Sequence, residues 1–285
     1  MKLGIHFALL LSISWPAVTL GQGFETIVKD IVSERAKVVS YHALITGEIE
    51  GEPEKVKLSD GSVHVRKRIP VGFTLELALD QESKRRLIAR RDHFQVKATG
   101  EEEFSRWYVY VETPLSKIYY NDVDGSVGRG FVTKPDRNVP KPKHFDPLAL
   151  GLMFPGELTT GESLPNIVQK YSVWNKGFVE TDLGDGKVRF SGKTETRGED
   201  FFVIVDWEKG IWPLEMAYGA EPIFQQKVSV DQFNGVWLPQ DATFMQSDKS
   251  TKVTLEWKSI NQPIADRLFD LGDVELKYDF SVKRK

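Results

Sequence analysis

Hydrophobic and polar residues alternate along most of this chain. Phe73, Leu75, Leu77 and Leu79 alternate with Thr74, Glu76, Ala78 and Asp80, the mark of a β-strand with one buried face. Trp107, Val109 and Val111 alternate with Tyr108, Tyr110 and Glu112, and Val253, Leu255 and Trp257 with Thr254, Glu256 and Lys258. Turn signals separate such runs at Asp60-Gly61, Asp185-Gly186, Lys209-Gly210 and Asn234-Gly235. Asp-Gly and Asn-Gly suit the paired positive φ angles of a two-residue type I′ hairpin turn. In the C-terminal half the pattern predicts one hairpin from Phe201–Trp207 and Ile211–Tyr218. A second follows from Gln226–Phe233 and Val236–Gln246, then a returning strand over Lys252–Ile260. No helix-length segment separates these strands, so they form an antiparallel meander.

The helical period occurs once at length, from Phe24 to about Val39. Phe24, Ile27, Val28, Ile31 and Val38 share a face, and Lys29, Asp30, Glu34 and Arg35 are expected largely away from it. From Lys134 to Asn166 the strand pattern breaks. Pro135, Pro140, Pro142, Pro147, Pro155 and Pro165 exclude a central strand there. Within this stretch Asp146 is a good N-cap and Pro147 a good first helical residue, which predicts a short helix. Its apolar side chains Phe145, Leu148, Leu150, Leu152, Met153 and Phe154 need cover, either as a plug on the sheet's open face or as a lid over a cavity. The expected fold is mainly β: roughly ten to twelve strands in one large curved antiparallel sheet, an unclosed barrel over an N-terminal helix and short loop helices. No linker composition divides the strands, so residues 22–285 read as a single domain.

The first 21 residues read as a cleavable secretory leader. Lys2 gives the positive start, Ile5 to Ile13 the apolar stretch, and Thr19 and Gly21 the small residues before a cut at Gln22. The apolar run is shorter than the roughly 20 residues that cross a bilayer, so a mature protein without a transmembrane anchor is expected in the periplasm or outside the cell. The chain has no cysteine, which rules out disulfides, thiolate metal sites, cysteine catalysis and acylation at a lipobox. A chain of 285 residues buries enough apolar surface to dispense with cross-links. Removing Lys2 with the leader takes the net charge from −3 to −4. That near-balance argues against nucleic acid as a partner.

Catalytic and cofactor signatures are missing from the sequence. His42, His64, His93 and His144 are scattered, with no His-Glu-x-x-His or His-x-His spacing. No Gly-x-Ser-x-Gly elbow occurs, and Gly184-Asp185-Gly186-Lys187 lacks the first glycine and the final Ser/Thr of a phosphate loop. Asn121, Asp122 and Asp124 read as turn chemistry, because Tyr120 stands where a calcium loop needs its first ligand. No cofactor or metal is expected. Two features have functional readings. Arg66, Lys67 and Arg68, with Arg85, Arg86, Arg90 and Arg91, form a cationic patch if their strands adjoin; otherwise they guard a solvated edge. The inward face carrying Phe73, Leu75, Leu77, Leu79, Trp107, Val109, Trp237 and Trp257 is core where covered and an apolar ligand site where open.

The C-terminal third carries two further runs. They are Val230-Asp231-Gln232-Phe233-Asn234-Gly235-Val236-Trp237-Leu238-Pro239 and Ile260-Asn261-Gln262-Pro263-Ile264-Ala265-Asp266-Arg267-Leu268-Phe269. This succession resembles the LolA-like superfamily of bacterial envelope proteins, which includes lipoprotein carriers and lipid-sensing domains. The resemblance implies an unclosed β-barrel over helices, with a concave face that takes acyl chains. The chain is longer than the simple carriers, and no arginine of theirs maps onto a residue here. The leading expectation is a non-enzymatic envelope protein binding a lipid acyl chain, a lipoprotein or another apolar ligand. The alternatives are an envelope scaffold with a filled core that engages a protein partner, and a secreted hydrolase with dispersed carboxylates.

Overall fold

The computed structural model describes residues 24–51, 55–57, 63–65, 68–96, 102–122, 128–139, 141–142, 144–153, 178–193, 198–219, 223–246, 249–278 and 280. The proposed leader lies outside them. The chain begins with α1 (Phe24–Arg35) and β1 (Ser40–Gly51), then a small hairpin of β2 (Lys55–Lys57) and β3 (Val63–Val65). There follow β4 (Arg68–Asp80), β5 (Arg85–Val96), β6 (Glu102–Glu112), β7 (Lys117–Asn121) and β8 (Arg129–Thr133). A 3₁₀ turn (Pro147–Ala149) precedes β9 (Val179–Gly184), β10 (Lys187–Lys193), β11 (Asp200–Asp206) and β12 (Trp212–Tyr218). The last strands are β13 (Phe224–Phe233), β14 (Val236–Gln246) and β15 (Lys249–Ile260), followed by a 3₁₀ turn (Asp266–Leu268) and α2 (Leu271–Tyr278).

Thirteen of these strands form one antiparallel sheet, in the order β8-β7-β6-β5-β4-β1-β15-β14-β13-β12-β11-β10-β9. The sheet curves into a barrel that does not close. Two meanders, β4 to β8 and β9 to β15, are local in sequence and fold out of consecutive hairpins. β1 joins them at the centre: Ala43 pairs with Leu77 on one side and with Trp257 on the other. Asn261 ties this seam. It adopts φ 50°, its Oδ1 accepts from Val39 N (2.9 Å) and its Nδ2 donates to Lys37 O (3.0 Å). Gly47 lies opposite Phe73 in the β1–β4 pair, and any Cβ there would overlap the phenyl ring. Glycine is therefore needed where Phe73 crosses β1.

Both faces of the sheet are covered. On the concave face Ile27, Val28 and Ile31 of α1 pack with Tyr41, Ala43, Ile45, Phe73, Leu75, Leu77, Val253, Leu255 and Trp257, joined by residues of β10 to β14. On the other face Ala78, Leu87, Ala89, Val109, Val111, Ile118 and Tyr120 meet Ile264, Leu268, Phe269 and Val274 of the C-terminal segment. The alternation in β4 predicts a single buried face, yet Glu76, Ala78 and Asp80 are buried as well. The reason is α2, a helix too short to stand out in the sequence, which closes over them.

Glu76 fastens that cover. Its carboxylate accepts from His42 Nε2 (2.8 Å), Lys277 Nζ (2.6 Å) and Tyr278 OH (2.7 Å). Arg85 adds a second link, from Nη2 to Asp80 (2.8 Å) and from Nη1 to Asp266 (2.5 Å), with its guanidinium over the Phe269 ring. Tyr278 packs on Trp107 and Phe280 stacks on Tyr120. Burial alone would raise the Glu76 carboxyl, but the three hydrogen bonds and the Lys277 charge outweigh it and hold the pKa down to about 2 from 4.5. The folded state thus gains stability from ionised Glu76 above pH 4.5, and loses it as pH falls towards 2. Glu76→Gln is expected to cost about 2 to 3 kcal/mol at neutral pH. Melting curves of the two proteins should converge as pH drops from 5 to 2.

Candidate functional site

The concave face is filled from within the chain by residues 145–153. The Asp146 carboxylate accepts from Leu148 N (3.0 Å) and caps the 3₁₀ turn that Pro147 begins. The predicted short helix is thus a single 3₁₀ turn. Phe145, Leu148, Leu150, Leu152 and Met153 are at most 5% exposed, and Phe145 meets Phe73 edge to face at 6.4 Å. Phe154 lies outside the described residues. In this arrangement the segment is a plug. It holds Gly151 at φ 88° so close to Pro213 O of β12 that a Cβ would collide with it.

Two polar side chains hold the plug's backbone. Gln226 of β13 is fully buried, its amide oriented to donate to Met153 O (2.9 Å) and to accept from Gly151 N (3.0 Å). It supplies the pairing that an irregular buried segment lacks. Arg35, at the last turn of α1, is 3% exposed. Its Nη1 donates to Leu148 O, and its guanidinium lies 3.8 Å above the centre of the Trp212 ring. Nε and Nη2 are buried without a hydrogen-bond partner. Burial pulls the guanidinium down from 12.5 to about 9, with Asp146 pulling the other way, so Arg35 remains charged at neutral pH. A cleft of about 260 Å³ runs beside it between α1 and the β11–β12 and β13–β14 turns, bordered by Leu148, Trp212, Trp237 and Asn261.

Arg35 corrects the expected division of α1. It stands four residues after Ile31 and seven after Val28, which is the buried stripe. That spacing was the available signal. Gln226 carried one too, since it shares strand parity with buried Phe224 and Val228.

The sequence-derived lining residues separate by face. Phe73, Leu75 and Leu77 lie buried on the concave side, with Leu79 and Trp237 packed at its margin. Trp257 is there as well, its Nε1 donating to Pro239 O (2.7 Å). Trp107 and Val109 are on the opposite face, against the C-terminal segment. The β5–β6 register pairs Ile88 with Tyr110, and that parity points Tyr110 inward and its odd-numbered neighbours outward. The basic run divides the same way. Arg86 and Arg90 share the face of inward-pointing Ile88, Arg85 and Arg91 the face of Leu87 and Ala89. Arg90 pairs with Asp92 (2.7 Å) beneath Phe73, and Arg91 covers Trp107. Arg66 and Lys67 lie outside the described residues, and Arg68 opens β4 opposite Val96. The arginines of β5 therefore do not form one surface.

His144 Nδ1 is 2.9 Å from Pro142 O, and burial together with Arg86, Lys141 and Arg90 lowers its pKa. Among the described residues no group of three or more His, Asp or Glu side chains is placed to hold a metal ion, and no helix is long and apolar enough to cross a membrane.

Several solved structures are similar to this chain at low identity. A LolA superfamily protein from Nitrosomonas europaea is 8% identical, with 88% of this chain and 99% of that one covered, at a TM-score of 0.36. A DUF1329 family protein from Desulfovibrio piger is 9% identical over 87% and 97% of the two chains, at 0.38. LprF from Mycobacterium bovis is 10% identical over 85% and 94%, at 0.30. The chain matches no protein-family model and no curated protein. The fold is defined by the chain's own thirteen-stranded sheet.

Gly151→Ala tests the fit of the plug. The strained φ and the collision with Pro213 O are expected to cost about 2 kcal/mol or more. Faster amide exchange should be confined to residues 145–153 and β12.

Proposed function

We propose that this chain is an exported, non-enzymatic envelope protein that holds a lipid acyl chain or a similar apolar ligand against its concave face. The observation that carries the reading is the plug. Phe145, Leu148, Leu150, Leu152 and Met153 cover the apolar sheet, yet only one 3₁₀ turn orders the described part of the segment. Among the described residues, Arg35 and Gln226 are polar anchors of its backbone. An acyl chain offers the same apolar surface at about 0.8 kcal/mol per buried CH₂, so a ligand competes with the plug on equal chemical terms. The leader over residues 1–21 and the absence of cysteine support export without a lipid anchor. Release of a chain beginning at Gln22, read by N-terminal sequencing of the periplasmic or secreted fraction, checks that part.

The near-complete burial of the plug favours a second reading, an envelope scaffold whose concave face is permanent core and whose partner is a protein. One experiment separates the two. Delipidated protein is titrated with a fluorescent fatty acid, and protein purified from the envelope is examined by native mass spectrometry. The lipid reading expects saturable binding, tightened by Gly151→Ala because the loosened plug competes less well. No binding by either protein and no co-purifying lipid, together with a stable protein partner in pull-downs, would establish the scaffold instead.

A further inference from the structure

Arg35 is the least satisfied charge on the concave side. Its guanidinium has five N–H donors, and one nitrogen is engaged by the Leu148 carbonyl while Nε and Nη2 have no partner. Hydrogen bonds to ionised groups are worth more than neutral ones, and a buried charge without them is costly. Stacking on Trp212 satisfies the flat face of the group but not its edge. Among the described residues no carboxylate hydrogen-bonds that edge, and Asp146 acts on it only through its charge. Glu34, the one acid bordering the cleft, is taken by Lys37 at 2.6 Å, and Asp146 accepts from Leu148 N. The edge of a guanidinium matches two oxygens of a carboxylate or phosphate. The cleft beside it has apolar and aromatic walls in Val38, Leu148, Trp212 and Trp237.

We infer that the cleft between α1 and the β13–β14 turn is a binding site for the acid group, carboxylate or phosphate, of an amphiphilic ligand, with Arg35 as its recognition residue. The ligand's apolar tail rests on the function proposed above; the acid-group site does not. Nε and Nη2 are buried, so the acid reaches them as the half-buried Trp237 at the cleft rim gives way.

The test compares oleic acid with oleyl alcohol, which share a chain, alongside phosphatidic acid and inorganic phosphate. The proteins are wild type, Arg35→Met and Arg35→Lys. Arg35→Met removes a buried charge with two unpartnered nitrogens but also the hydrogen bond to Leu148 O, so its melting temperature should stay close to that of wild type. For wild type, oleic acid or phosphatidic acid should bind roughly tenfold or more tighter than oleyl alcohol. That ratio should fall to near one in Arg35→Met and be partly kept in Arg35→Lys. The Arg35 Nε–H resonance should move on binding the acids and stay put with the alcohol. Inorganic phosphate alone moving that resonance, with no lipid bound, supports the acid-group site and removes the tail from it. Equal binding of acid and alcohol by wild type overturns the acid-group site while leaving the lipid reading intact. Failure of every probe to bind overturns both.

Discussion

A wide antiparallel sheet with apolar side chains on both faces has to be covered twice, and this chain meets that constraint with segments that are not strands. α1 and residues 145–153 cover the concave side, and the segment from Ile264 to Phe280 covers the other. β1 makes the arrangement possible. It is the only described strand that joins the two meanders, and the links at its start, through Asn261, bring the helix that precedes it against the end of β15. Loss of either cover would expose a face far larger than soluble surfaces ordinarily leave open.

The two covers are held differently. The outer one is fixed by a polar network in which Glu76 accepts three hydrogen bonds and Arg85 bridges two carboxylates, with only Arg85 Nε left without a partner. Every charge in it has a partner. The inner one is mostly apolar, and its polar anchors include a guanidinium with unused donors. A charge paired with carboxylates rigidifies its surroundings, whereas Arg35, with two nitrogens unpartnered, is a place where another molecule can bind. This contrast, and not an inventory of catalytic residues, directs functional attention to the concave side near Arg35.

Much of the fold was legible because its strands are joined by short, local turns. The predicted Val236–Gln246 strand matches β14 end for end, and those at Phe201–Trp207 and Lys252–Ile260 match β11 and β15 to within three residues. Asn234 and Gly235 take the positive φ angles their types favour. α2 was not legible: eight residues with Leu271, Val274 and Tyr278 on one side are too few to separate a helical period from chance. Of the site, the plug residues were readable from their apolar character inside a proline-rich break. Gln226 and Arg35 were readable only from their parity with buried neighbours, since their residue types ordinarily signal surface.

By itself the sequence determined β4, β6 and β11 to β15, the hairpin turns among them, the antiparallel sense of pairing and the apolar nature of the plug. Each follows from side-chain period and turn chemistry within a few residues. Tertiary structure decided which face each strand presents, because alternation says that Trp107 and Val109 share a side but not which side it is. The β5–β6 register placed them outward and split the basic run between two surfaces. It also decided that β1 lies between β4 and β15, and that Arg35 is sealed beneath the plug with two nitrogens unpartnered. The β1–β15 pairing and the contact of Arg35 with Leu148 join residues more than a hundred positions apart, which no local pattern encodes.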